Sequence, residues 1–238
     1  QLNYGSITLS RAIVKSSQVG VTKLALQLDG ETIYEVFRRF GIGEPVNAGF
    51  PGESWGLLPR RSIWTPIQEA NLAFGYGLSA SPIQIAKAYS VFANNGFQQP
   101  ISLLALETNN LPRSNRILSP TIANQVLRVL KSVTDEDGTG FRAKVPGYSV
   151  AGKTGTVRKL GLSGYEQDQH IALFAGIMPV DDPRFVTVVV IDKPKGDKYH
   201  GGTVAAPVFS KVAEATLRLM NIPPQKEKVK FVFESLSL

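Results

Sequence analysis

The sequence predicts an α+β fold in which an antiparallel sheet is flanked by helices. Three observations predict it. Residues 9–133 carry helical periodicity punctuated by cap residues. Residues 148–191 carry three short β-prone runs joined by links too short for a parallel crossover. Residues 204–220 form one closing apolar helix. With 238 residues, 43% hydrophobic and 19% charged, the chain can fill one ordinary core and does not read as disordered, collagen-like or coiled-coil.

Taken in order, residues 9–28 favour helix, but Lys15-Ser16-Ser17-Gln18 interrupts them with polar side chains. Residues 31–40 place Ile33, Val36, Phe37 and Phe40 on one helical face and stop at Gly41. Residues 41–66, rich in Gly and Pro, read as a long irregular connection with Trp55 and Trp64 as packing anchors. Ala73-Phe74-Gly75-Tyr76-Gly77 reads as a turn. Ser81-Pro82 and Ser119-Pro120 each pair an N-cap with Pro at the first helical position. The helices they open present Ile85, Ala88, Tyr89 and Phe92, and then Ile122, Val126, Val129, Leu130 and Val133. Strands are expected at 148–157, 171–177 and 185–191. The closing helix is apolar nearly all round, which predicts burial against the sheet. The division expected is a domain portion over 1–222 and a charged tail over 223–238, with a short alternating run at 229–233.

Composition narrows the chemistry. The absence of cysteine excludes disulfides, a thiolate nucleophile and cysteine-based zinc sites. Two histidines, His170 and His200, leave little for a multi-histidine metal site. The net charge of +7 points to an anionic partner, but Lys and Arg are scattered, as in Arg38-Arg39 and Arg60-Arg61. Of the anionic partners such a charge allows, namely nucleic acid, lipid head groups and substrates carrying carboxylates, that pattern speaks against nucleic acid. The longest β-branched apolar run, residues 186–191, is far short of the roughly 20 residues of a membrane helix. A start without Met that enters an apolar-periodic segment within ten residues reads as a fragment of a longer protein, with export or membrane signals upstream.

Two readings compete over Gly147-Tyr148-Ser149-Val150-Ala151-Gly152-Lys153-Thr154. The string matches the phosphate-binding pattern G-x-x-x-x-G-K-[ST], which needs a strand, a flexible loop and then a helix N-terminus. Here residues 141–146 are not an apolar strand, Ser149-Val150-Ala151 reads as strand, and no helix begins downstream. The second reading makes Lys153-Thr154-Gly155-Thr156 an active-site strand. Lys153 supplies a fixed positive charge, and Thr154 and Thr156 offer hydroxyls to a carboxylate. Gly155 omits a side chain where a ligand backbone must come close.

The second reading gains from motifs elsewhere. Lys15-Ser16-Ser17-Gln18 with Val19-Gly20, then Phe74-Gly75-Tyr76-Gly77-Leu78, Lys153-Thr154-Gly155-Thr156 and Tyr199-His200-Gly201-Gly202 follow one another in order. Together they resemble the penicillin-binding protein and serine β-lactamase superfamily, marked by S-x-x-K, S-x-N and K-T-G. The resemblance runs to about residue 224. It is to the C-terminal part of the transpeptidase domain of a class B penicillin-binding protein of the division-specific type, penicillin-binding protein 3. It implies the penicillin-binding protein/serine β-lactamase-like transpeptidase fold, incomplete at the N-terminus. It also implies cross-linking of peptidoglycan stem peptides through a serine acyl-enzyme that β-lactam antibiotics block, with no cofactor. A periplasmic location at the bacterial inner membrane, an upstream anchor and divisome partners are implied as well, while the 238 residues themselves are expected to be soluble.

The resemblance also implies roles. Ser16 becomes the first residue of S-x-N and a proton relay. Lys153 holds the Ser16 hydrogen-bond network and adds positive potential. Thr154 and Thr156 bind the substrate carboxylate beside Gly155, and the Thr156 N–H forms half of an oxyanion hole, one such donor being worth about 3 kcal/mol in the transition state. Gln18 stands where the family usually has Asn and adds a methylene to the amide that meets the acylamino group. Arg158 attracts acidic ligand groups. Tyr199 and Tyr76 line the cleft, with His200 at a commonly aromatic position. No Ser in this chain has Lys three positions later, so S-x-x-K is absent and these residues alone are not expected to acylate. The alternatives are a non-catalytic penicillin-binding sensor or scaffold and a related D,D-carboxypeptidase or β-lactamase. A lactamase needs a base for deacylation, and Glu53 in the long loop is in surroundings unlike that pattern.

Overall fold

A computed structural model describes residues 4–60, 63–106, 114–161 and 164–225. The alternating run at 229–233, with the rest of the tail from 226, lies outside the described residues. In chain order the elements are α1 (Leu9–Val14), α2 (Gln18–Ala25), α3 (Gly30–Arg39), α4 (Pro66–Ala73) and α5 (Pro82–Ala93). The small pair β1 (Phe97–Gln98) and β2 (Asn115–Arg116) precedes α6 (Pro120–Ser132). Then come β3 (Ala151–Gly161), β4 (Gly164–Met178), β5 (Phe185–Asp192) and α7 (Gly201–Leu219).

The three long strands form an antiparallel sheet in the order β3-β4-β5, so β3 is an edge. Opposite residues on paired strands share a face. Thr154 lies opposite Phe174 and Gly152 opposite Gly176, and this face packs under α7. Phe174 and Phe209 are fully buried with ring centroids 4.8 Å apart, and Ala205, Ala206, Ala213 and Leu217 complete the stripe. On the other face Ala151 and Ile177 pack against Leu127 and Leu130 of α6 and Tyr89 and Phe92 of α5. The sheet is therefore a middle layer with helices on both sides.

The cap signals act as expected. Ser81 and Ser119 accept hydrogen bonds from the backbone of Gln84 and Ile122. Gln84 is fully buried, and its amide donates to the carbonyls of Glu44 (2.9 Å) and Trp55 (2.8 Å), which ties the irregular connection to α5. Break and helices in residues 9–28 fall where the polar interruption puts them.

Several expectations change. Helix α4 fills the stretch left unassigned between the long connection and the turn at 73–77, where Thr65-Pro66-Ile67-Gln68 is a capping box with Pro at its start. Within α3, Ile33 is buried while Val36 faces out. Helix α6 buries Ala123, Leu127 and Leu130 and leaves Ile122 exposed, a rotation of the expected face. Helix α7 has the sheet on one side only, so Val208 and Val212 are exposed despite their hydrophobicity. Trp64 packs under α3, where a Cβ on Gly30 would come 2.2 Å from its ring, but Trp55 is 59% exposed and is no anchor. Strands β3 and β4 continue beyond the sheet as a ribbon that the basic residues after Thr156 concealed. The tail's first residues join the domain: the Ser149 N–H donates to the Gln225 side chain at 2.8 Å, which donates to Asp181 at 2.6 Å.

Candidate active site

Helix α1 ends in a Schellman turn. The Ser16 N–H donates to the Ile13 carbonyl at 3.1 Å and the Ser17 N–H to the Ala12 carbonyl at 2.8 Å. This motif calls for a left-handed residue at its centre, usually Gly, and Ser16 occupies it with φ +52°. Ser17 then caps α2 by accepting from the Gly20 N–H at 3.2 Å. The polar interruption is thus a tight corner that presents the Ser16 hydroxyl outward on a strained backbone, a conformation that clusters at functional sites.

Across from the corner runs β3. Lys153 lies within the strand and not at a helix start, which removes the phosphate-loop reading. Lys153 Nζ donates to Ser16 Oγ, 137 residues away in the chain. It also reaches the Thr154 carbonyl at 3.2 Å and hydroxyl at 3.3 Å. Burial lowers the Lys153 ammonium from its ordinary value to about 8, because removal from water disfavours the charged form. The Thr154 hydroxyl donates to Thr139 at 3.1 Å, and Thr139 donates to the Val14 carbonyl at 3.4 Å, closing a chain from β3 back to α1.

Thr156 is placed differently. Its hydroxyl accepts from the Gly201 N–H at the start of α7, at 3.0 Å. Its own hydrogen is left to donate, so of the two threonines Thr156 is the better-prepared partner for an anion. Gly155 and Gly201 owe their identity to internal packing. A Cβ at 155 would lie 2.8 Å from the Leu173 side chain, and one at 201 would lie 2.4 Å from the Gly155 carbonyl. The fit of β3 to β4 and α7 therefore already requires glycine at 155, independently of any ligand that approaches the strand.

Ser16, Gln18, Tyr76, Arg158 and Tyr199 join Lys153, Thr154, Gly155 and Thr156 around one groove of about 930 Å³. Among the described residues that line it there is no Asp or Glu, while Arg142 adds a further cation. A groove whose charged lining is all positive favours an anionic ligand. Glu53 accepts from the Asn47 N–H at 3.0 Å and the Phe50 N–H at 3.3 Å within its own loop and does not line the groove. Tyr76 meets the Phe74 ring at 5.6 Å. Tyr199 stacks on His170 at 4.0 Å and 17°, and His170 pairs with Arg158 across β3 and β4.

Three contributors escaped the sequence reading. Thr139 carries no motif, and its role depends on a loop that meets α1 and β3. His170 sits in a polar stretch before the apolar run of β4, where alternation with Ala172 and Phe174 places it on the face of Arg158. Gly201 gives a signal only as part of Gly201-Gly202. Among the described residues there is no cluster of metal-ligating side chains, and no helix is long and apolar enough to cross a membrane.

A strained serine corner and a Lys-Thr-Gly-Thr edge strand thus meet in one groove whose charged lining is positive. The chain matches the penicillin binding protein transpeptidase domain over residues 1–214, and it belongs to that family, among the class B penicillin-binding proteins. It is 41% identical over 218 residues to the probable peptidoglycan D,D-transpeptidase PbpC of Pseudomonas aeruginosa, covering 92% of this chain and 38% of that protein. It is 39% identical over 221 residues to the peptidoglycan D,D-transpeptidase FtsI of Escherichia coli K12, covering 93% and 37%. The apo transpeptidase domain of penicillin-binding protein 3 from Burkholderia pseudomallei superposes with a TM-score of 0.88 at 37% identity, covering 94% of this chain and 68% of that one. The chain thus spans less than two fifths of the length of these curated relatives.

Proposed function

We propose that these residues form the substrate-binding part of a peptidoglycan D,D-transpeptidase of the division type, completed by a Ser-x-x-Lys serine from outside the 238 residues. The serine oxygen attacks the penultimate D-alanine carbonyl of a stem peptide. The peptide C–N bond breaks, and terminal D-alanine leaves with a proton on its nitrogen. The amine of a neighbouring stem peptide then attacks the ester, and the serine oxygen departs with a proton. Ser16 carries protons between these groups and Lys153 keeps it oriented. Thr156, backed by Thr154, takes the substrate carboxylate, and the Thr156 N–H with that of the nucleophile stabilises the oxyanion. Gln18 offers its amide to the acylamino group, Arg158 attracts acidic ligand groups, and Tyr199 and Tyr76 wall the cleft. β-Lactams occupy the same groove and acylate the same serine. The periplasmic face of the inner membrane, an anchor outside this chain and divisome partners belong to the same proposal.

The observation that carries the reading is the contact of Lys153 with Ser16 beside the β3 edge. Intact-mass analysis of the full-length protein with benzylpenicillin tests it. A persistent adduct is expected, strongly reduced in Ser16→Ala and Lys153→Ala. Equal labelling of all three removes the assigned roles, and rapid release of hydrolysed antibiotic points to a lactamase instead.

A further inference from the structure

Asp137, on the loop after α6, reaches across to α1 with both carboxylate oxygens. One pairs with Lys15, the residue before Ser16, and the other pairs with Arg11, one turn earlier on the same helix. Lys15 Nζ also donates to the Asp137 carbonyl at 2.7 Å, so the lysine is held at two points. Two residues on, Thr139 bonds α1 and β3, and its carbonyl lies 2.3 Å from where a Cβ on Gly202 would be. The loop from Asp137 to Thr139 therefore touches the serine corner, the Lys153 strand and the start of α7. Helix α2, on the other side of the corner, buries no residue of its own. Helix α1 before the corner buries Ala12 and Val14, so the approach to the corner is packed on one side only, and the corner itself turns on a strained backbone with Ser16 exposed.

We propose that Asp137 is a positioning residue: by gripping Lys15 and Arg11 it holds the left-handed corner so that the Ser16 hydroxyl stays on Lys153. Its carboxyl is held below the usual range by hydrogen bonds from Lys15 first and then Arg11, so the grip is ionised at neutral pH. The carboxylate is 57% exposed, so its contribution is to geometry, and exposed pairs add little to stability. The kinetic arm of the test rests on the transpeptidase reading above, and the exchange arm does not.

The test uses the full-length protein with Asp137→Asn, Asp137→Ala, Lys15→Met and the double variant Lys15→Met/Asp137→Asn. Amide hydrogen exchange at Ser16 and Ser17 is expected to quicken in every variant while β4 amides keep their protection. Acylation by benzylpenicillin is expected to slow roughly tenfold in its maximal rate with little change in half-saturation, since a small displacement of a reacting group is costly. The double variant is expected to lose little more than either single one, and Asp137→Glu to recover part of the rate. Unchanged exchange at the corner overturns the proposal, as does an unchanged rate in a wild-type background that acylates. A rate loss that tracks falling β4 protection also overturns it, because Asp137 would then serve the fold alone. A wild-type protein that fails to acylate while the variants still loosen the corner counts against the transpeptidase reading and supports the clamp.

Discussion

The two walls of the groove are built by different physics. The strand wall is packed: Ala151, Ala172, Phe174, Ala175 and Ile177 are fully buried, with helices on both faces. The serine wall is packed more thinly and pinned by polar contacts: α1 buries Ala12 and Val14, but no residue of α2 is fully buried, and Leu9, Val19 and Leu24 beside the corner are exposed. Volume fixes the position of a packed wall, and many atoms must move before it shifts. A pinned wall depends on a few directional contacts, so single substitutions can move it without unfolding the chain. The comparison predicts that damage to the first appears as lost stability and damage to the second as lost chemistry.

The largest effect tests the packed wall. Phe174 fills the space between Gly152, Gly140 and Phe209, and Phe174→Ala should cost about 3–5 kcal/mol in urea unfolding. A cost below about 1 kcal/mol would mean that the strand wall is not held by packing.

Ser16 tests the pinned wall. Both Ser16→Ala and Ser16→Gly should slow acylation of the full-length protein by about 100-fold or more, because each removes the proton-relay hydroxyl. Their stabilities should differ. Glycine relieves the backbone held at φ +52° and should gain about 1 kcal/mol over alanine, which keeps that strain. Equal stabilities would show that the corner is not strained.

The same contrast explains what the sequence reveals. The packed region is legible because its signals are local and periodic: Ser-Pro starts, alternating apolar strand residues and links too short to cross over. Misses there concern faces, such as Val208 and Val212 on α7, because periodicity does not say how many sides of a helix are covered. The site was legible only where a motif marks it. Ser16, Lys153, Thr154 and Thr156 stood out, but Thr139 and Asp137 act through contacts across more than 120 residues that no local pattern encodes. Even Gly155, which lines the groove, has a reason to be glycine in the fold behind it that no local pattern reveals.

Lys153 belongs to both walls, and pH separates its two effects. Its ammonium titrates near 8, below the ordinary 10.5. Above pH 8 it loses the charge that attracts a ligand carboxylate, so kcat/KM for acylation should fall roughly tenfold per pH unit. Stability should move the other way. A lysine whose pKa is lowered on folding penalises the folded state fully below 8, and the penalty fades as pH rises toward 10.5. Lys153→Arg, charged throughout, should flatten both trends. Acylation and stability falling together above pH 8 would show that unfolding causes the loss.

The smallest effect lies at the seam. Thr139→Val removes a hydroxyl that accepts from Thr154 and donates to the Val14 carbonyl. Tyr148→Phe removes one that donates to the Ile222 carbonyl at 2.6 Å, from a residue that does not line the groove. Each should cost about 1 kcal/mol in unfolding, as single hydrogen bonds do. Only Thr139→Val should also slow acylation, because of these two hydroxyls only that of Thr139 joins the serine wall to the strand wall. If both variants acylate like the wild-type protein, the two walls are aligned without this seam, and the burden of alignment falls on the contact between Lys153 and Ser16 and on the grip of Asp137.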